Sequence, residues 1–303
     1  MSFTSRTVWR LASTVAAGAA LVTTSIYVSR TTWRIAAGSK LGITDENTAL
    51  LSFIDSPTIS NHVNPQRKES RAVDTHTVTL HVPLNKGISD ETILAQATKN
   101  FFNGWVFYLE AKALNLIKLQ DGKYSSMFFP NTPKRDLGSS LTRLFVQLEL
   151  ASTTVPAHIW NAAKLSETSL PELHTVLFGV FRLADVHLAD DDATGDSSST
   201  TTTQSHADFL FGSDLTQFAG CHRLSVQRQE VDAVGGTQKV QVQLQCYACN
   251  PQSDAPANGI LLGFHRLYAS ALFRETAGQM YRWLHPDNTA HDMMKRRIKV
   301  HEP

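Results

Sequence analysis

A chain of 303 residues can hold one large domain or two small ones, and either buries a substantial core. Hydrophobic residues make up 42% and charged residues 18%, an ordinary balance for a folded protein. The formal net charge of +1 supplies no electrostatic reason for a nucleic-acid partner, and the three cysteines are too few and too clustered for a disulfide scaffold.

The first 44 residues read as a separate piece. No acidic residue precedes Asp45, and the uncharged run LASTVAAGAALVTTSIYVS lies between Arg10 and Arg30. That is about the length a helix needs to cross a hydrocarbon core. Trp9, Tyr27 and Trp33 stand at its ends, where aromatic side chains favour a membrane interface. Basic residues flank both sides, so charge gives no orientation. We read residues 1–44 as a single-pass membrane anchor, with a mitochondrial targeting segment as the competing reading. Both hold together as an inner-membrane anchor behind a basic presequence. A cleaved secretory signal, which no Asn-x-Ser/Thr acceptor supports, or simply a frayed terminus is the third reading. The expected location is a membrane, mitochondrial first and endoplasmic reticulum second.

Residues 45–72 are expected to be a linker, since DSPTISNHVNPQRKESRA has no hydrophobic period and two prolines. A single domain is expected over 73–285. Val78, Leu80 and Val82 alternate with Thr77, Thr79 and His81, which predicts a half-buried strand. Ser89 and Asp90 offer an N-cap for a helix over ETILAQATKNFF. After Gly104, WVFYLEAKALNLIKL reads as a second helix or a strand turning into one.

The middle turns strand-like in SMFF, SLTRLFVQLEL and LPELHTVLFGVFRLADVHL, the last nearly continuous and read as one buried or very long strand. The low-complexity run at 190–206 cannot bury enough apolar surface to offset its ordering entropy and reads as a solvated insert. Strands resume at DFLFG, CHRLSVQRQ and KVQVQLQCYACN, and Gly235-Gly236 marks a hairpin between the last two. NGILLGFHRLYASALFRETAGQMYRWL predicts a long amphipathic helix with Phe264, Leu267, Tyr268, Ala271 and Leu272 on its apolar stripe. Pro286 ends it, and 286–303 form a basic tail.

This order predicts an α+β fold, a curved antiparallel sheet packed on a long C-terminal helix and preceded by a membrane helix. The succession FLFGS, GCHRLSVQR, VQVQLQCYACNP and FHRLYASALFR resembles the last strands and helix of the helix-grip superfamily, which includes START-like domains and polyketide cyclases. By element order the resemblance covers about 73–285. It implies a hydrophobic small molecule or lipid held between sheet and helix. A hot-dog fold is the rival, but it normally places its central helix early.

Cys246 and Cys249 of CYAC stand in an alternating run and would point to opposite faces of a strand, which argues against a zinc knuckle or redox pair. If Leu224 faces Cys246, Cys221 lies opposite Cys249, a possible cross-strand thiol pair. His222 shares a face with Leu224 and Val226 and so points inward. His265 and Tyr268 lie one turn apart on the last helix. These three are candidate polar groups for a cavity, with Trp105 and Phe107 as apolar walls.

Glu110 is a lone carboxylate among aromatics, a surround that would raise its pKa toward general-acid use, but the preferred reading is a helix-surface residue pairing with a lysine. No nucleophile elbow, P-loop, dinucleotide fingerprint or His-Glu-x-x-His motif is present, and no metal or cofactor is expected. The expected function is a membrane-anchored binder of an apolar small molecule or lipid. A cyclase- or thioesterase-like enzyme and a non-catalytic membrane scaffold are the alternatives.

Overall fold

In a computed structural model of the chain, residues 23–119, 157–189, 204–212, 218–255 and 259–286 are described. Helical residues 23–39 (α1) lead to the short strand β1 (Thr44–Glu46), a helical turn α2 (Leu51–Ile54) and a π-helical turn at Thr58–Val63. The alternating run becomes β2 (Arg71–Pro83), followed by α3 (Asp90–Phe102) and α4 (Trp105–Leu119). Two short strands, β3 (His158–Ile159) and β4 (Val176–Leu177), precede β5 (Phe181–His187) and β6 (Ser205–Gly212). The hairpin β7 (Ala219–Asp232) and β8 (Thr237–Cys249) then leads to α5 (Gly259–Leu284).

The strands form one mixed eight-stranded sheet in the order β1-β2-β8-β7-β6-β5-β4-β3, antiparallel except at β3–β4. β2 pairs with β8 along its whole length, so the chain closes its first long strand against its last. The inward residues of β2, β8 and β7, among them Val78, Leu244 and Leu224, form the main core with α3 and α5. Ser89 caps α3 through its side chain, which accepts from the Thr92 N–H at 3.2 Å. The fold is α+β with the C-terminal helix packed on the sheet.

Several expectations change. The stretch read as a linker is built into the domain: β1 pairs with β2, and Phe53, Ile59 and Val63 cover the opposite sheet face against Tyr247, Cys221 and Cys249. The long central strand breaks at Phe178 and Gly179, whose φ values of 52° and 72° turn the chain back, so β4 and β5 make a hairpin. The end of the supposed insert, Ser205 and His206, already belongs to β6. On α5 the buried stripe is Ala269, Leu272, Phe273, Ala277, Met280 and Leu284, while Phe264 and Leu267 are 64% and 75% exposed. SMFF and SLTRLFVQLEL, and the tail beyond residue 286, lie outside the described residues.

So does most of the run read as a membrane helix; only its last residues, from 23 on, enter α1. Among the described residues no helix is long and apolar enough to cross a membrane. Here α1 is docked on the domain. A Cβ placed on Gly38 would lie 1.8 Å from the Arg274 carbonyl oxygen, and one on Gly278 would lie 3.2 Å from Gly38 N, so the helices cross at two glycines. Beside that crossing, Arg34 donates to the buried Glu275 at 2.9 Å. Glu275 also accepts the Trp105 and Val106 N–H groups (2.9 and 2.8 Å), and thereby caps α4.

Candidate functional site

Sheet register assembles the site. Asp74 of β2 stands opposite Cys246 of β8, and Cys246 stands opposite His222 of β7, so the three form one row across the central strands. A period of two sends the row to the face carrying Val78, Leu244 and Leu224, beneath α5. From the helix His265 closes over it, its ring 5.5 Å from that of His222 at an interplanar angle of 23°. One ring nitrogen from each histidine and the Cys246 sulfur all lie within 4.8 Å of one another.

Aromatic rings enclose the histidines. Phe211 lies 4.5 Å from His222 and 5.7 Å from His265 between centroids, with Phe101 and Phe181 against His222 and Phe218 against His265. Among the described residues, neither nitrogen of His222 has a hydrogen-bond partner, and neither does Nε2 of His265. A buried polar group left in this state costs about 1–3 kcal/mol. Burial, and next the neighbouring His265, push the His222 pKa well below the usual value. Burial also lowers His265, against an opposing pull from Asp74. Both shifts favour the neutral ring.

On the other side of Cys246, Asp74 bonds His76 Nε2 at 2.9 Å, and Asp45 bonds His76 Nδ1 at 2.6 Å. Asp45 also pairs with Arg274 of α5. Burial alone would lower the His76 pKa, but the two carboxylates outweigh it and the net shift is upward. With both ring nitrogens engaged, His76 cannot accept the Cys246 proton. Burial and then the Asp74 charge hold the Cys246 thiol well above its usual pKa, so no activated thiolate nucleophile is assembled here.

One turn along α5 from His265, Tyr268 donates to Glu110 at 2.6 Å. Glu110 thus points into the molecule and pairs with a tyrosine rather than with a surface lysine. Burial raises its pKa, opposed by that hydrogen bond. Phe264 stacks on Tyr268 with centroids 6.0 Å apart, leaving an exposed apolar lip beside the site.

The other candidates lie elsewhere. Trp105 sits at the junction of α1 and α4, stacked on Tyr27 at 5.7 Å with Arg30 and Arg34 over its ring. Phe107 is fully buried among Phe102, Phe178 and Phe181, as ordinary core. Cys221 stands opposite Tyr247, and Cys249 opposite Ala219, because Leu224 faces Leu244 rather than Cys246. The two sulfurs share the outer face without facing each other across the strands, and all three cysteines are free and buried. Asp74, His76 and Cys246 escaped the reading as polar participants. The alternation of β2, continued two steps back from Val78, places His76 and Asp74 on the inner face and was the available signal.

Comparison with known proteins finds no matching family model, no matching curated protein and no matching solved structure.

Proposed function

We propose that the chain binds an apolar small molecule or lipid between its sheet and α5, in the manner of helix-grip proteins, with the ligand's polar group on His222 and His265. The observation that carries this reading is His222, 6% exposed, with two unpartnered nitrogens inside an aromatic surround. A neutral imidazole donates from one nitrogen and accepts at the other, so it satisfies a carbonyl, hydroxyl or carboxyl group on an otherwise apolar ligand. Exposed Phe264 and Leu267, on the same turns as His265 and Tyr268, provide an apolar approach. A membrane anchor over 1–44, mitochondrial in the first reading, would hold the domain where such ligands reside.

The same histidines, as neutral rings, would serve as acid and base in a cyclase- or thioesterase-like reaction, and the half-buried Glu110–Tyr268 pair beside them favours keeping this second reading. The test of the first is organic extraction of the purified full-length chain followed by mass spectrometry of the extract. A co-purifying apolar compound, depleted in His222→Phe and His265→Phe, is expected. An extract equal to that of an unrelated protein prepared in parallel would refute the reading.

A further inference from the structure

We propose that His222, Cys246 and His265 form a three-ligand site for a borderline transition-metal ion of the zinc class. The inference goes beyond apolar-ligand binding and does not depend on it. Two imidazoles and a thiol are the donor set such an ion prefers, whereas magnesium and calcium demand oxygen ligands. The three donor atoms lie within 4.8 Å of one another. Ideal zinc–nitrogen and zinc–sulfur bonds in a tetrahedral site put donors about 3.3–3.6 Å apart, so a small side-chain adjustment closes the site.

Two further clusters of similar residues are weaker. His76 has both nitrogens engaged by carboxylates, which disqualifies the Asp74–His76–Cys246 group. Asp208, in the Asp185–His206–Asp208 group, is held at both oxygens by Arg223 at 2.6 and 2.7 Å. Of these three clusters, the His222 group is the one whose ring nitrogens are buried and unpartnered among the described residues, the state that a metal relieves. Neutral imidazoles are the ligating form, and the Cys246 thiol would release its proton to solvent on coordination. Asp74, directly opposite Cys246, stands where a carboxylate orients a ligand from behind. Three protein ligands leave a fourth position open for a polar group of a bound molecule. The CYAC motif contributes only Cys246, since Cys249 belongs to the opposite face.

The test uses the full-length chain, stripped with a chelator and then dialysed against zinc or cobalt(II). Elemental analysis should find about one ion retained per chain, the stoichiometry of a mononuclear site. The cobalt form should show thiolate-to-metal charge-transfer absorption. Cys246→Ser should abolish that absorption, and His222→Gln and His265→Gln should weaken retention at least about tenfold, since loss of a partner that merely orients a ligand already costs that much. Cys249→Ser should change neither. Retention no greater than that of a denatured control overturns the proposal, as does equal retention by wild type and Cys246→Ser. Should the variants fail to fold, the unmutated protein still decides: bound cobalt without thiolate absorption overturns it. Solvent extraction removes an apolar ligand and chelation removes an ion, so one reading can fail while the other stands.

Discussion

His222 of β7 and His265 of α5 stack at 5.5 Å, and three of their nitrogens have no partner among the described residues. A packed interior rarely leaves such groups unsatisfied, because each costs more than most single contacts contribute. Arg223 and Asp208 satisfy each other through two bonds, whereas Arg182 shares the histidines' unpartnered state among the described residues. What sets the histidine pair apart is that its two rings with unpartnered nitrogens stack inside one aromatic surround, and the proposed ligand site rests on that arrangement.

Glu275 ties three helices together. It accepts from Arg34 of α1 and from two N–H groups at the start of α4 while almost fully buried. Glu275→Gln puts an amide donor against donors, and should cost about 2–3 kcal/mol in denaturant unfolding. A change under about 0.5 kcal/mol, the range of ordinary surface substitutions, would show the capping role to be wrong.

Gly38 allows α1 to touch α5. Gly38→Ala places a methyl group against the Arg274 carbonyl, and overpacking of this kind costs about 1–3 kcal/mol. Trypsin should also cut faster at Arg30 and Arg34 in the variant. Unchanged stability and unchanged cleavage would mean that α1 does not rest there.

Arg182 of β5 is buried, with Nε and one terminal nitrogen unpartnered among the described residues, and burial pushes its pKa down to about 10. Arg182→Met keeps the length and removes the charge, so a gain of about 1–3 kcal/mol is expected from equilibrium unfolding. Destabilisation instead would reveal an anionic partner.

Glu110 sets a pH dependence. Its pKa is raised in the folded chain by burial, against the Tyr268 hydrogen bond, so the folded state holds the proton more tightly than the unfolded state. Its penalty is full above the folded pKa and is relieved as pH falls through that value toward the unfolded 4.5. Glu110→Gln keeps an acceptor for Tyr268 and should be more stable than wild type at neutral pH. That advantage should fade as pH falls through the folded pKa. An advantage independent of pH would exclude Glu110 as its source.

Local periods in the sequence reveal β2, β7, β8, α3 and α5, because each buries a face against neighbours at its own repeat. The register of α5 is less legible. Its buried face includes Glu275 and Thr276, whose hydrogen bonds are invisible in a hydropathy pattern, while Phe264 and Leu267 extend the apparent stripe into solvent. Residues 45–72 hide their role because Phe53, Ile59 and Val63 pack from short turns with no repeat. His222 reads as inward from its own strand. Its meeting with Cys246 and Asp74 depends on pairing between distant strands, and a shift of two residues separates the actual register from the one that would oppose Cys221 and Cys249.

The most direct measurement is nitrogen NMR of the full-length chain with isotope-labelled histidines, stripped of metal by chelation and of small molecules by organic extraction. Reloading it with its own extract should shift the His222 and His265 ring nitrogens while leaving His76, held by two carboxylates, in place. Unchanged His222 and His265 signals on reloading would contradict the claim that these rings face a bound ligand.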